Sequence, residues 1–351
     1  MKKIFALILC VTMVLGLTAC GGSPTDPTPA SSTAPATSST APSTADPASS
    51  GEKTIYVIVK VLGNQYWSIV QAGAEKAGAD LGCNVVILGT TAESDIEGQV
   101  RYLQDAVSAK ADGIVIAPLD RTALAAPIQE QFASGTPLIL IDSKVDGDDY
   151  SAALLTDNIE AGRMSAEEMI RRLKAAGHAE TEEGVIAIQA GSTGSQAIND
   201  RLEGFYEYWD AKAPAAWKVL KDDVKINDGD IAKAVGFCQD FLTTYPNLIG
   251  VFGPNNGSTV GFVTGLTEAK RTDITMIGFD FSNEIETMIR SNEYNVSSVL
   301  QRQYFMGYDG VKLALDLANG GTVTQKEIDT GVMIVTPENV DSAEVQGVIN
   351  P

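Results

Sequence analysis

From Ile55 onward, short apolar runs alternate with stretches of helical period, and this alternation organises the chain. Ile55–Leu62 is apolar on both faces, as a central parallel strand should be. Tyr66–Leu81 has helical period, and Val85–Leu88 reads as a strand. Ser94–Ser108 predicts a helix with Val100, Leu103 and Val107 on one face. Strand Gly113–Ala117, helix Ala123–Ala133, strand Pro137–Ile141 and a short strand Ala152–Leu155 complete a first series. A second series runs as helix Ile159–Ala175, strand Val185–Ala190, helix Ala197–Asp210 and strand Trp217–Val224. It continues as helix Asp230–Thr244, strand Ile249–Phe252, helix Thr259–Ala269 and strand Thr275–Phe279. Helix Glu284–Ser291, strand Val296–Leu300, helix Phe305–Ala318 and an extended tail Ile328–Val335 follow. Strands alternating with helices predict doubly wound α/β units with parallel sheets. At 351 residues the chain suits two lobes better than one core.

Many of the apolar strands end in a polar residue. ILIDS ends at Asp142, MIGFD at Asp280, VFGPNN at Asn255 and Asn256, SSVLQ at Gln301 and VIAIQAGS at Ser192. Parallel α/β sheets bind ligands beyond the carboxyl ends of their strands. Capping of the next helix is the competing explanation, and it is preferred for Asp120, Asp157 and Asn158. Asp142 and Asp280 each follow a long buried strand in a different series, so they read as facing walls of one cleft. The first strand has the same form. VIVKVLGNQYW breaks at Gly63 and presents Asn64, Tyr66 and Trp67 at the turn, with Lys60 just before it. An amide beside two aromatics suits a small polyhydroxylated molecule, since the amide donates and accepts and the rings offer flat apolar faces. Lys60 is either a ligand contact or a salt bridge.

The N-terminus carries an address. Lys2 and Lys3 precede an apolar run from Ile4 to Leu17, which fits a signal segment better than a membrane span. It ends Leu17-Thr18-Ala19-Cys20, which resembles a bacterial lipobox and implies lipidation at Cys20. A plain signal peptide with a chance cysteine is the alternative. Residues 21–52 are Ser-, Thr-, Ala- and Pro-rich, unable to bury enough surface to fold, and predict a disordered tether. Extended at ~3 Å per residue, it spans several tens of Å.

Formal net charge is -20, which argues against nucleic acid as a partner. Cys83 and Cys238 lack CxxC spacing and read as small core residues. The single histidine, His178, lies in a loop after a helix, so an HExxH zinc site cannot form and a Ser-His-Asp triad has no support. The Gly191–Gly194 loop lacks the phosphate-binding pattern, though its backbone N–H groups stand at a helix start. Asp142 and Asp280 as a glycosidase pair have no further support.

From about Lys53 to Val335 the chain resembles the type I periplasmic sugar-binding proteins, the ribose-binding group and its relatives. GNQYW is similar to that family's Asn-x-aromatic-aromatic corner, and LGCNVVIL, DGIVIAP, PLILIDS, RLEGF, YPNLIGVFGPNN, MIGFD and VLQ fall in the family's order. The resemblance implies two α/β lobes joined by three crossovers near Thr156–Asp157, Gln301–Arg302 and Thr330–Gly331. The lobes would then be 53–156 plus 302–330, and 157–301 plus 331–351. It carries sugar contacts onto Asn64, Tyr66, Trp67, Asp142, Asn255, Asp280 and Gln301. Ribose binders place arginine where Ser143 and Asn199 stand here, and a stacking aromatic near Gly229, so these positions set the ligand apart from D-ribose. Lys60 and Pro254 occur where relatives that bind the furanose signal autoinducer-2 have Lys and Pro. The Asp-Gln pair of those receptors is not evident around Gln196–Asn199. The implied function is the solute-binding component of an ABC importer for a monosaccharide or small polyol, working by lobe closure. It would be a monomer without enzymatic activity, cofactor or metal, held outside the cytoplasm by a lipid anchor, with a permease as partner. The alternative is a sensory protein presenting a signal sugar to a chemoreceptor or kinase. A sugar-responsive repressor shares the fold but would carry a DNA-binding segment where this chain has its tether.

Overall fold

A computed structural model describes residues 51–351. The signal segment, Cys20 and the tether up to residue 50 lie outside the described residues.

In chain order the first half runs β1 (Thr54–Val61), α1 (Gln65–Leu81), β2 (Asn84–Thr90), α2 (Ile96–Ser108), β3 (Gly113–Ile116), α3 (Ala125–Ala133), β4 (Leu138–Ile141) and β5 (Ala152–Leu155). Next come α4 (Asn158–Ala175), β6 (Gly184–Ala190), α5 (Gln196–Lys212), β7 (Trp217–Val219), β8 (Lys225–Ile226), α6 (Ile231–Thr244), β9 (Leu248–Phe252), α7 (Asn256–Ala269), β10 (Thr275–Phe279), α8 (Asn283–Ser291) and β11 (Val296–Gln301). The chain ends with α9 (Gln303–Ala318), β12 (Glu327–Asp329), β13 (Val332–Val335) and α10 (Ala343–Ile349).

Two sheets result, one per lobe. The first has the order β12-β5-β4-β3-β1-β2 and is parallel throughout. The second has the order β13-β11-β10-β9-β6-β7, with β8 also beside β6, and only β13 runs antiparallel. The strands β3, β4, β5, β10 and β11 are wholly buried, and the first three read as unbroken apolar runs for that reason. The chain passes between the sheets three times: from β5 to α4, from β11 to α9 and from β12 to β13.

In each lobe one helix pair packs backbone to backbone through reciprocal glycines. A Cβ added to Gly73 of α1 would lie 2.0 Å from the Tyr304 carbonyl of α9, and one on Gly307 2.0 Å from the Val70 carbonyl. In the second lobe, an added Cβ on Gly162 of α4 would lie 2.1 Å from the Arg201 carbonyl, and one on Gly204 of α5 1.9 Å from the Ile159 carbonyl. These contacts fix α1 and α5, two of the helices whose N-terminal turns face the cleft.

Two expectations change, for Trp217–Val224 and for the C-terminus. Trp217–Val224 is not one strand. Trp217 anchors β7, the charged Lys221–Asp223 forms a 3₁₀ turn, and β8 returns to pair with Gln189 and Ala190. The extended tail divides at Thr330–Gly331, where the resemblance put the third crossover: Gly331 takes φ +82, sending β12 to the first sheet and β13 to the second. The C-terminal α10 was not expected. Its buried Val345 and Val348 share a face, and Ser342 caps it, but it is too short for period alone to reveal. Cys83 and Cys238 are buried free thiols, and burial pushes the Cys238 thiol up to about 12.

Candidate functional site

The carboxyl ends of the strands of both lobes face one cleft with an empty volume of about 370 Å³, part of it open to solvent. Lys60, Asn64, Tyr66, Trp67, Glu93 and Asp142 line it from the first lobe. Ser195, Arg201, Asn255, Asn256, Asp280 and Gln301 line it from the second and from the crossover.

The first-lobe wall is built around Asp142. Tyr66 Oη donates to its Oδ1 at 2.9 Å, Ser143 Oγ donates to Oδ2 at 2.8 Å, and Lys60 Nζ pairs with Oδ2 at 2.7 Å. Burial raises the carboxyl, but Lys60, then Arg201, outweigh it and hold Asp142 below the usual carboxylate range. Burial and the Asp142 charge push the Tyr66 phenol well up, so it stays a donor. Lys60 reaches further, donating to Ser143 Oγ at 2.7 Å and, across the cleft, to Ser195 Oγ at 3.2 Å. It is therefore a salt bridge, a link between lobes and a cleft-lining group at once. Asn64 caps α1 by accepting from the Tyr66 N–H at 2.8 Å, which leaves its amide nitrogen as the free donor. Tyr66 and Trp67 meet edge to face, with centroids 4.8 Å apart.

The second-lobe wall is built around Arg201, which the sequence reading passed over. Its Nε donates to Asn158 Oδ1, Nη1 to the Pro254 carbonyl and Nη2 to Gln301 Oε1, each at 2.8 Å. Its guanidinium lies 4.1 Å from the Phe279 ring centroid. Gln301 also accepts from Thr156 at 2.9 Å and donates to Asp280 Oδ1 at 2.7 Å. Burial dominates Asp280 and, despite Arg201, pushes its carboxyl up to about 6. Asn255 Oδ1 accepts from the Gly191 N–H at 3.1 Å and from Ser258 Oγ at 2.5 Å, again leaving the amide nitrogen free to donate.

Three placements differ from expectation. Asn199 does not reach the cleft, and its amide donates to the Thr193 carbonyl at 3.0 Å. It stands two residues from Arg201, about 200° around the helix, so only one of the two can face inward. Ser143 lies behind Asp142, fully buried and bonded to Lys60 and Asp142, instead of lining the cavity. Asn158 does not cap α4: Asp157 does so by accepting from the Glu160 N–H at 3.0 Å, while Asn158 orients Arg201. Asp120 holds a turn as expected, accepting from the Thr122 and Ala123 N–H groups. Arg201 had two sequence signals: it opens the family-like RLEGF stretch, and Ala197, Arg201 and Phe205 recur every four residues on the buried face of α5.

Two α/β lobes with polar side chains converging between them, and strand ends facing a shared cleft, define a binding protein that encloses a small polar ligand. The pattern of the periplasmic binding protein domain matches residues 55–322. The chain belongs to this family, whose members are solute-binding proteins, and its fold is the two-lobed type I form. A carbohydrate transporter solute binding protein from Agrobacterium radiobacter, solved with D-arabinose, is 35% identical, with a TM-score of 0.81, over 86% of this chain and 100% of that one. An ABC transporter solute binding protein from Agrobacterium vitis, solved with D-fucose, is 30% identical, with a TM-score of 0.77, over 84% and 99%. The ribose import binding protein of Bacillus subtilis is 26% identical over 96% of this chain and 99% of its own length.

Proposed function

We propose that this chain is the solute-binding component of an ABC importer and holds one monosaccharide or similar small polyol between its lobes. The observation that carries this is the convergence of Asp142 and Asp280, from equivalent strand ends of two lobes, on one cavity lined by Tyr66 and Trp67. Hydroxyl groups both donate and accept, so they suit a site offering free amide nitrogens beside carboxylates. The aromatic faces cover the ligand's C–H surface. Lys60, Asn64, Tyr66, Trp67, Asp142, Asn255, Asp280 and Gln301 form the proposed ligand-facing set, to which Arg201 is added. Ser143 and Asn199 act as supports. The relatives solved with D-arabinose and D-fucose, and the ribose import protein, support a monosaccharide ligand.

The proposed lobes are 53–156 plus 302–330, and 157–301 plus 331–351, turning about the three passages between the sheets. Contacts from both lobes favour the closed form, which a permease recognises. The mechanism is binding without catalysis. The family places the protein outside the cytoplasm, and the Leu17–Cys20 motif supports a lipid anchor at Cys20 for a monomer. The importer role is favoured over the sensory one, since the matched relatives are import and transporter binding proteins.

The test is a thermal-shift screen against pentoses, hexoses, inositols, sugar acids and autoinducer-2, followed by calorimetry. A neutral monosaccharide should raise the melting temperature and bind one to one. A response to autoinducer-2 alone would restore the sensory reading, and silence from a folded sample would remove the sugar reading.

A further inference from the structure

Glu93 lies in the loop between β2 and α2 of the first lobe, yet it reaches the second. A Cβ added to Gly191 would lie 2.7 Å from Glu93 Oε2, and one on Gly229 would lie 3.0 Å from Glu93 Cγ. Gly229 also has φ +76, so its backbone as well as its surroundings favours glycine. The side chain occupies space that a side chain from the second lobe would otherwise fill. Among the described residues, Glu93 makes no hydrogen bond or ion pair, whereas Asp142 holds Tyr66, Ser143 and Lys60, and Asp280 holds Gln301. The same glycine-lined wall continues to Gly257, whose added Cβ would lie 3.3 Å from the Gly229 carbonyl. Beside Gly257 stands Asn256, which lines the cleft and whose buried Nδ2 has no partner. An acceptor and a donor therefore remain unused on one wall.

The charges of the cleft point the same way. Glu93, Asp142 and Asp280 face only Lys60 and Arg201, so an anionic ligand would add to an existing excess of negative charge. Burial pushes the Glu93 carboxyl above its ordinary range, with Lys60 opposing. A neutral hydroxyl can donate to a carboxylate in a charge-assisted bond, and a second can accept from an amide nitrogen.

We propose that Glu93 and Asn256 form a selectivity subsite that binds hydroxyl groups of a neutral sugar and rejects sugars bearing a carboxylate. This rests on the sugar-binding reading of the cleft and names the class of sugar within it. Glu93 enters from a loop, so the residue that sets the class is outside the strand-end pattern that marks the rest of the site.

The experiment is calorimetric titration of the full-length chain, Glu93→Gln and Asn256→Ala with D-arabinose, D-fucose, D-ribose and D-galactose, and with D-galacturonate and D-gluconate. The wild type should bind at least one neutral sugar and hold the acids about 100-fold more weakly or not at all. Glu93→Gln should weaken the neutral sugar by about tenfold or more, the weight of one charge-assisted hydrogen bond. It should weaken the acids by less than about twofold, or tighten them. Asn256→Ala carries the same test for the donor and serves if Glu93→Gln does not fold. Equal loss on both classes would make Glu93 a closure contact and overturn the proposal, as would neutral-sugar affinity within about twofold of wild type. A wild type that prefers an acid overturns this proposal and leaves the sugar reading standing. No binding of any sugar by a folded wild type removes the sugar reading itself, and this assignment with it.

Discussion

Asp142 and Asp280 occupy the same place in their lobes and share a backbone conformation. Each follows a buried strand, takes a positive φ (+65 and +70), and donates its N–H to the neighbouring strand, to the Leu154 and Val299 carbonyls. That left-handed geometry costs most side chains roughly 1–2 kcal/mol, and Asp and Asn are among the few that adopt it readily. Asn is therefore the conservative probe. Asp280→Asn should weaken sugar binding by at least about 100-fold, since it removes an ionised acceptor. It should also stabilise the ligand-free protein. With its pKa raised from the ordinary 3.8 to about 6, Asp280 binds more protons folded than unfolded between those values. Its presence thus costs stability as pH rises through that window, by roughly 2–3 kcal/mol at neutral pH. Melting curves of variant and wild type should coincide near pH 4 and separate in the variant's favour by a few degrees at pH 7. A variant no more stable than wild type at pH 7 would refute the burial of an ionised Asp280. These aspartates were legible because a strand ending in a carboxylate interrupts an apolar run. Glu93 was not, because a loop residue has no period to interrupt.

At the scale of elements, the site depends on how closely helices approach. Arg201 is aimed by α5, and α5 is set by the reciprocal Gly162–Gly204 contact with α4. Gly204→Ala would force a methyl group against the Ile159 backbone carbonyl. Overpacking of this kind costs about 1–3 kcal/mol. The melting temperature should fall by several degrees, and sugar affinity should fall with it as Arg201 shifts. Gly236→Ala in α6 is the control, because nothing lies within 4 Å of its added Cβ. It should be neutral or slightly stabilising. Equal behaviour of the two variants in calorimetry and melting would show that the helix contact does not position the arginine. The helices themselves were readable from their period. Their glycines were visible too, but which helix each one faced was not, because period describes one helix at a time.

For the whole molecule, the lobes meet through a few contacts away from the ligand-facing set. Gln65 Nε2 donates to Asn283 Oδ1 at 3.2 Å while the Asn283 N–H donates to Gln65 Oε1 at 3.0 Å. The Arg121 N–H donates to the Gly194 carbonyl at 2.9 Å, and the Lys144 N–H to Gln196 Oε1 at 3.0 Å. These bonds exist only when the lobes are together, so they set the balance between open and closed forms. Gln65→Ala, which removes both halves of one pair, should weaken every ligand about three- to tenfold and leave their ranking unchanged. Small-angle scattering of the ligand-free variant should report a more open form. A changed ranking among sugars would mean that Gln65 touches the ligand.

The sequence alone determined the two α/β series, the strand ends that carry Asp142, Asp280, Asn255 and Gln301, and the corner from Lys60 to Trp67. Those features follow from local period and from the chemistry of single residues, which a linear chain displays directly. Tertiary structure decided which of the polar groups are already used. It spent Asp142 on Lys60 and Tyr66, turned Asn199 away and Arg201 inward, and laid Glu93 against Gly191 and Gly229. Each of those outcomes is set by a contact between residues far apart in the chain. Such contacts depend on the distance and angle at which two elements pack, and neither is written in the pattern of either element by itself.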